Sequence, residues 1–425
     1  MARALRIFHS ADWHFGKTIG NVDRTEDFLH FIDHFMALVN ERKPDVLLIA
    51  GDIFDTSLPS NKAQKLYYSW IHRLQGTSVK AIVITAGNHD SQRFLEAPRA
   101  LLETMNYFIA GETPEEQVFI LRDEKGEPLL GVGAVPYLRE GDVRTGSMSY
   151  SDATRAELFE AGVKAHYQEV WELVNKALDG AKVPRIAMAH LFVTGAELRP
   201  GVQKAKEEDA LRVGSLNSVT SEAFEQGWDY VALGHIHHAQ ELTSKTPMRY
   251  SGAPIGLTFN HRKYSHSLVE INIDGEGALT IDTLPIPQSR LFLHFEGTQA
   301  ELIAAIKEAG KTHHEPYVEA VLTSDEVEPL LVEKLTAVAQ EAGVLLIATR
   351  NERALQRYQE EEESTLVALN ELSPREVFRL LVTEESGAKE GEEAMPKEDF
   401  ERYQRLLMEA VDGVQTGHWP MEENE

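Results

Sequence analysis

The chain has 425 residues, 42% apolar and 8% aromatic, which is ordinary for globular proteins and long enough for two or more domains. It contains no cysteine, which excludes disulfides and thiolate zinc sites and leaves His, Asp, Glu and Asn to hold any metal. The formal net charge is −26 and half of it falls within residues 360–425, so composition offers no general attraction for nucleic acid, only room for a local basic groove in the body.

The amino-terminal stretch MARALRIFHSADWH has no apolar signal region, and no apolar run approaches the roughly 18 residues of a membrane span. A cytoplasmic protein without membrane attachment is expected. In chain order, LRIF (5–8), VLLIA (46–50), AIVITA (81–86), RIAMAH (185–190) and YVALGH (230–235) are short, β-rich and bounded by polar residues or Gly. They predict buried strands. Between them FLHFIDHFMALVNE (28–41), KAQKLYYSWIHRL (62–74) and residues 153–177 have the spacing of amphipathic helices. Residues 249–284 turn more β-like, with YSGAPIG, SLVEINI, a DGEG turn and a further strand. The alternation predicts an α/β domain over 1–284.

Two prolines in LPIPQSR (284–290) mark a boundary. LFLHFEG, QAELIAAIKEAG, YVEAVLT, EPLLVEKLTAVAQEAG and VLLIATR then predict strand, helix, strand, helix, strand, a small α/β capping domain over 285–357. The acidic run YQEEEEST (358–365) predicts a linker over 358–372. A helix pair is expected over 373–425: Ser373 and Glu376 have capping-box spacing with Pro374 at the first helical position, and KEDFERYQRLLMEAV (397–411) forms the second member. Both carry an apolar stripe with no core of their own to cover it.

The chemistry lies in Asp12-Trp13-His14, Gly51-Asp52-Ile53-Phe54-Asp55, Gly87-Asn88-His89-Asp90, His190 and Gly234-His235-Ile236-His237. Each closes an expected strand, which puts all of them at carboxyl ends, where open α/β sheets build their sites. In extended backbone, side chains two apart point to the same side, so the D-x-H and H-x-H pairs could each grip one ion. Asp12, His14, Asp52, Asn88, His190, His235 and His237 are too many donors for one ion. Mixed imidazole and oxygen donors suit manganese, iron or zinc better than magnesium or calcium. His89 neighbours a ligand but is left over, free to act on protons. Singly, each piece has a plainer reading: a surface D-x-H, a G-D turn, a turn with a helix N-cap at Asp90, a satisfied core histidine at His190. Their conjunction, in this order and each at a strand end, points to a two-metal centre.

This series, D-x-H, G-D-x-x-D, G-N-H-D, H and G-H-x-H, resembles the calcineurin-like metallophosphoesterase superfamily. Within it, the spacing, the small α/β domain and the terminal helices resemble the SbcD family of nuclease subunits. The resemblance implies two stacked mixed β-sheets flanked by helices, plus the capping domain and C-terminal helix pair. It implies one ion on Asp12, His14 and His237 and another on Asn88, His190 and His235, with Asp52 bridging and Mn2+ the expected metal. His89 would be the general acid, and Asp55 would orient it by a hydrogen bond. Ala253 in YSGAPIG stands where the family usually has serine. The implied activity is double-strand exonuclease and single-strand or hairpin endonuclease action in DNA repair, recombination and replication. The implied partners are DNA and an SbcC-like ATPase with coiled coils that receive the helix pair, two copies of the nuclease sitting in a heterotetramer.

Two other functions fit the same residues. A free-standing phosphatase or cyclic-nucleotide phosphodiesterase would use this fold, but would not need the appended cap and helices. A non-catalytic scaffold would not be expected to keep every donor together with His89. A third reading concerns ADWHFGKT (11–18), which nearly matches a phosphate-binding G-x-x-x-x-G-K-[ST] loop. Ala11 replaces its first glycine, and Asp12, Trp13 and His14 are bulky where phosphates need backbone N–H groups. Lys17 then reads as a cation near the site or as a solvated lysine. Arg93, Arg99, Arg139 and Arg262 are candidate phosphate contacts, with an ordinary surface role the plainer alternative for each.

Overall fold

A computed structural model describes residues 4–143, 152–197, 218–323 and 330–351. The expected linker over 358–372, the helix pair over 373–425 and the last residues of the expected cap lie outside them. Among the described residues, no helix is long and apolar enough to cross a membrane.

The first sheet is built from β1 (Leu5–Ser10), β2 (Val46–Ala50), β3 (Ala81–Thr85) and β4 (Tyr107–Ile109). The second takes β5 (Val118–Arg122), β6 (Pro128–Ala134) and β7 (Arg185–His190). A two-stranded pair, β8 (Phe192–Val193) with β9 (Ser218–Val219), follows. β10 (Tyr230–Gly234), β11 (Gln240–Leu242) and β12 (Met248–Tyr250) complete the second sheet; β13 (Ser267–Ile273) and β14 (Leu279–Pro285) return to the first. The strand orders are β14-β13-β1-β2-β3-β4 and β11-β12-β10-β7-β6-β5.

The strands that carry the motifs run parallel: β1 with β2, β2 with β3, and β7 with β10. β2 and β3 are buried at every residue, as both-faces-covered parallel strands require. Leu5, Ile7, Leu48 and Val83 of the first sheet share one core with Val132, Ile186, Met188 and Tyr230 of the second, so the sheets stack face to face. Helices α1 (Thr25–Arg42) and α2 (Asn61–Arg73) cover the outside of the first sheet, burying Phe28, Phe31, Phe35, Leu66 and Trp70. Helix α3 (Asp152–Leu178) covers the second with Val163, Tyr167, Val170 and Val174. This is the expected sandwich of mixed sheets flanked by helices.

The β5–β6 hairpin escapes the pattern of apolar runs because Gly131 and Gly133 interrupt its second strand. The glycines answer a close approach: a Cβ on Gly133 would strike the Trp228 ring and Val170 of α3. The small unit follows as expected: β15 (Phe292–Gly297), α4 (Gln299–Thr312), β16 (Tyr317–Leu322), α5 (Leu331–Ala342) and β17 (Leu345–Asn351), in sheet order β15-β16-β17. Thr298 and Glu301 form the capping box of α4. Phe292 and Tyr317 pack with Ile19.

Candidate metal centre

All five motifs converge where the parallel strands of the two stacked sheets end. Gly234 permits the approach: a Cβ there would overlap the Ala50 carbonyl oxygen and press on His190. The backbone is not extended at this point. Asp12 (φ 57°), His14 (φ 50°), Asp52 (φ 51°) and His235 (φ 96°) all adopt left-handed conformations. Such positions cost about 1–3 kcal/mol each and persist only where the surroundings over-determine them. Here Asp12 N donates to Gly51 O at 3.0 Å and His14 N to Asp52 O at 3.0 Å. Trp13, between the two side chains, is fully buried against Phe15, Phe31, Phe35 and Trp70, with its Nε1–H on Ser10 Oγ. It is the anchor that turns Asp12 and His14 inward.

The donor atoms form two groups. In the first, His14 Nε2 lies 3.2 Å from His237 Nε2 and 3.4 Å from Asp52 Oδ2. Donor atoms of Asp12, His14, Asp52 and His237 all fall within 4.8 Å of one another. In the second, Asn88 Oδ1 lies 3.2 Å from His190 Nε2 and 2.9 Å from His235 Nδ1. His190 Nε2 is in turn 3.3 Å from Asp52 Oδ2. One oxygen of Asp52 thus faces both groups. The H-x-H pair does not face one way: His235 joins the second group and His237 the first, because the left-handed turn at His235 breaks the strand alternation that sequence spacing assumes.

These contacts fit cations better than a hydrogen-bonded core. His14 Nδ1 pairs with Asp55 Oδ1 at 3.2 Å and His190 Nδ1 with Ala50 O at 2.8 Å, so each presents Nε2 to the centre. Ligand bonds of about 2.0–2.2 Å put neighbouring donors roughly 3.0–3.5 Å apart, the spacing seen here. Asp12 Oδ2 and His235 Nε2 are buried with no partner in the protein. Burial pushes the Asp12 carboxyl up to about 7 against the pull of His190. Burial, with the neighbouring His190, lowers His235 to about 3, and burial with His14 lowers His237 well below its usual range, which favours the neutral form a ligand needs. Against burial, Asp55 and Asp52 raise His14, and Asp52 and Asp12 raise His190 to about 9, so a cation held there would displace those protons. Burial also opposes charge on Asp52, but His190 and His14 outweigh it and keep that carboxylate ionised.

His89 stands beside this centre, its ring centroid 4.8 Å from that of His14. Its main-chain N–H donates to Asp52 Oδ1 at 2.9 Å. Its Nδ1 is 2.9 Å from the main-chain oxygen of Asp55, which can only accept, so Nδ1 carries the proton and Nε2 is free. The expected contact between Asp55 and His89 is therefore made by the backbone. The Asp55 carboxylate pairs with His14 Nδ1 and with Lys17 Nζ at 3.1 Å, and one of its oxygens lies within 4.8 Å of ring nitrogens of both His14 and His89. This pairing also disposes of the phosphate-loop reading: Lys17 is engaged with Asp55 and Trp13 fills the loop's interior.

Asp90 is a residue whose part the sequence reading missed. The N-cap after GNHD is Ser91, which accepts from Phe94 N. Asp90 instead accepts from Ile53, Phe54 and Gly87 N–H at 2.9–3.1 Å, clamping the G-D and G-N-H-D loops together. Burial and the Asp52 charge push its carboxyl up to about 6. His9 is buried against Tyr230, and His238 packs on Tyr264. Arg99 is engaged by Glu96 and Glu116.

Residues 289–386 match the family described as Type 5 capsule protein repressor C-terminal domain. Among curated proteins the chain is similar to the SbcD subunit of nuclease SbcCD from Escherichia coli (strain K12), 29% identical over 90% of this chain and 94% of that one. The same-named protein of Rhodobacter capsulatus is 31% identical over 71% of this chain and 75% of its own, and that of Bacillus subtilis (strain 168) 29% over 63% and 66%. Residues 5–239 match the Calcineurin-like phosphoesterase family; with that match over more than half of its length, the chain belongs to this family of phosphoesterases.

Proposed function

We propose that the chain is the metal-dependent DNA nuclease of an SbcCD-type, ATP-driven repair and recombination complex, cutting duplex ends as an exonuclease and hairpins or single strands as an endonuclease. The observation that carries the chemistry is Asp52 Oδ2, 3.4 Å from His14 Nε2 and 3.3 Å from His190 Nε2, a single carboxylate oxygen facing two groups of donors. Asp12, His14 and His237 would hold one divalent cation and Asn88, His190 and His235 the other, with Asp52 shared between them. Manganese suits this donor set. Two such cations, when bound, supply charge stabilisation for an in-line phosphoryl displacement and an activated water at neutral pH.

The protein's own part is positional and protonic. Asp55 and Ala50 O fix the ring orientation of His14 and His190 from behind. His89, its Nδ1–H held by Asp55 O, has Nε2 to carry the proton given to the leaving oxygen. The small domain over 285–357 positions the DNA strand. The helices expected over 373–425 lay their apolar stripes on the coiled coil of an SbcC-like ATPase, two nuclease copies to a heterotetramer. The SbcCD names of the relatives, matched over most of the chain, support this assembly over a free-standing phosphatase. A cytoplasmic location goes with it.

The full-length chain with manganese, assayed on linear duplex DNA, hairpin DNA and a small phosphodiester, should cut both DNAs in a metal-dependent way. Turnover of the small ester with both DNAs left intact would overturn the nuclease reading in favour of a phosphatase.

A further inference from the structure

The residues after β12 form no further strand before β13, yet their backbone is held by side chains from distant parts of the chain. Arg24 Nη1 donates to Gly256 O at 2.6 Å. Gln288 accepts from Gly256 N at 2.9 Å and donates to Pro254 O at 3.2 Å. His266 Nδ1 donates to Ala253 O at 2.8 Å. The segment ends in a single 3-10 turn, Phe259–Lys263.

That turn is gripped on two sides. On one, the His261 ring lies 5.3 Å from the His237 ring of the metal centre and stacks at 4.5 Å on Tyr264. On the other, Phe259 meets Phe292 of the small domain, ring centroids 5.2 Å apart. Between these grips Arg262 and Lys263 are exposed. Arg262 gives one N–H to the Phe259 carbonyl at 3.0 Å, which closes the turn and leaves other donors of its guanidinium to solvent. Lys263 makes no ion pair among the described residues.

A chain of net charge −26 repels a polyanion at long range, so the cations that meet one must be local and near the centre. Fixing their backbone in advance lowers the ordering entropy lost on binding. Arg and Lys are the usual partners of phosphate oxygens, and such contacts set register without reading bases. We propose that the Phe259–Lys263 turn is the shelf that takes DNA phosphates beside the metal centre, through Arg262 and Lys263. The inference rests on the nuclease reading and names residues of this chain that meet the strand.

The test is the salt dependence of binding of the full chain to a nuclease-resistant phosphorothioate duplex. Each phosphate contact contributes about 0.9 to the slope of log affinity against log salt, so Arg262→Ala with Lys263→Ala should flatten it by up to about 1.8. Arg262→Lys with Lys263→Arg keeps both charges and should keep the slope. Lys176→Ala with Lys182→Ala removes two exposed cations beyond the opposite end of β7 and should leave it unchanged. An unaltered slope in the alanine pair, an equal loss in the Lys176/Lys182 pair, or failure of the charge-preserving pair would each overturn the proposal. Wild-type protein that binds no duplex at all would instead sink the nuclease reading, and this inference with it.

Discussion

At the scale of single residues, the centre separates two duties that lie in one short loop. The Asp55 carbonyl holds His89, while the Asp55 carboxylate holds His14. His89→Ala removes the proton carrier but no donor, so both metals should stay bound by elemental analysis while single-turnover cleavage drops about 10²–10⁴-fold. Undiminished manganese-dependent cutting would end its role as acid. Asp55→Asn keeps the main-chain oxygen and loses the charge that faces His14 and Lys17. Supporting groups of this kind are worth about 10–100-fold in metal affinity. A manganese titration of activity should therefore shift to higher metal by that order, with turnover at saturating metal nearly intact. A collapse of saturated turnover to the His89→Ala level would mean the carboxylate serves the proton transfer after all.

At the scale of elements, strand ends were legible because β2, β3, β7 and β10 are continuous apolar runs that stop abruptly at polar motifs. The left-handed turns at Asp12, His14, Asp52 and His235 were not: Asp and His enter that region more readily than most residues, but the preference is too weak to mark a position, and tertiary contacts of Trp13, Asp90 and the Asp12 carboxylate on His235 N–H hold them. For the same reason the H-x-H pair could not be divided correctly from spacing alone, and the family resemblance alone implied the split. The tie between α1 and the small domain was equally invisible. Asp27 on α1 accepts from Arg24 (2.8 Å), Arg290 (3.0 Å), Ser289 (2.6 Å) and Tyr317 (2.6 Å), partners up to 290 residues away. Burial opposes its charge, but Arg24 and the hydroxyl donors prevail and hold its carboxyl below the usual range. A depressed folded pKa stabilises above the unfolded value of about 3.9, and that contribution fades as pH falls through the folded one. Asp27→Ala leaves the buried Arg24 guanidinium without a carboxylate partner, while Arg290 keeps Glu26 and Glu315, and breaking one such buried pair costs about 3–5 kcal/mol. Denaturant unfolding at neutral pH should show that loss, and the gap to wild type should narrow in strong acid. A gap independent of pH would count against an ionised Asp27.

At the scale of the whole molecule, the order of modules could be read from composition: an α/β body, a proline-marked boundary, a small strand-helix unit, then an acidic stretch. The described residues after β14, which ends at Pro285, follow the strand-helix order read from the sequence through β15, α4, β16, α5 and β17. What a sequence cannot convey is that the metal centre draws on both stacked sheets, so that no half of the body holds a complete set of donors: Asp12, Asp52 and Asn88 follow strands of the first sheet, His190 and His235 those of the second. The residues beyond 372 contribute none of these donors. Their sequence is acidic, and the helices expected there would carry apolar stripes that suit a partner rather than the site. Removing 373–425 should therefore leave a folded body that binds two equivalents of manganese and unfolds at the wild-type midpoint, while losing co-purification with the coiled-coil ATPase. Loss of metal together with the partner would tie those residues to the body's own stability, and undiminished co-purification would move the partner's docking surface elsewhere on the chain.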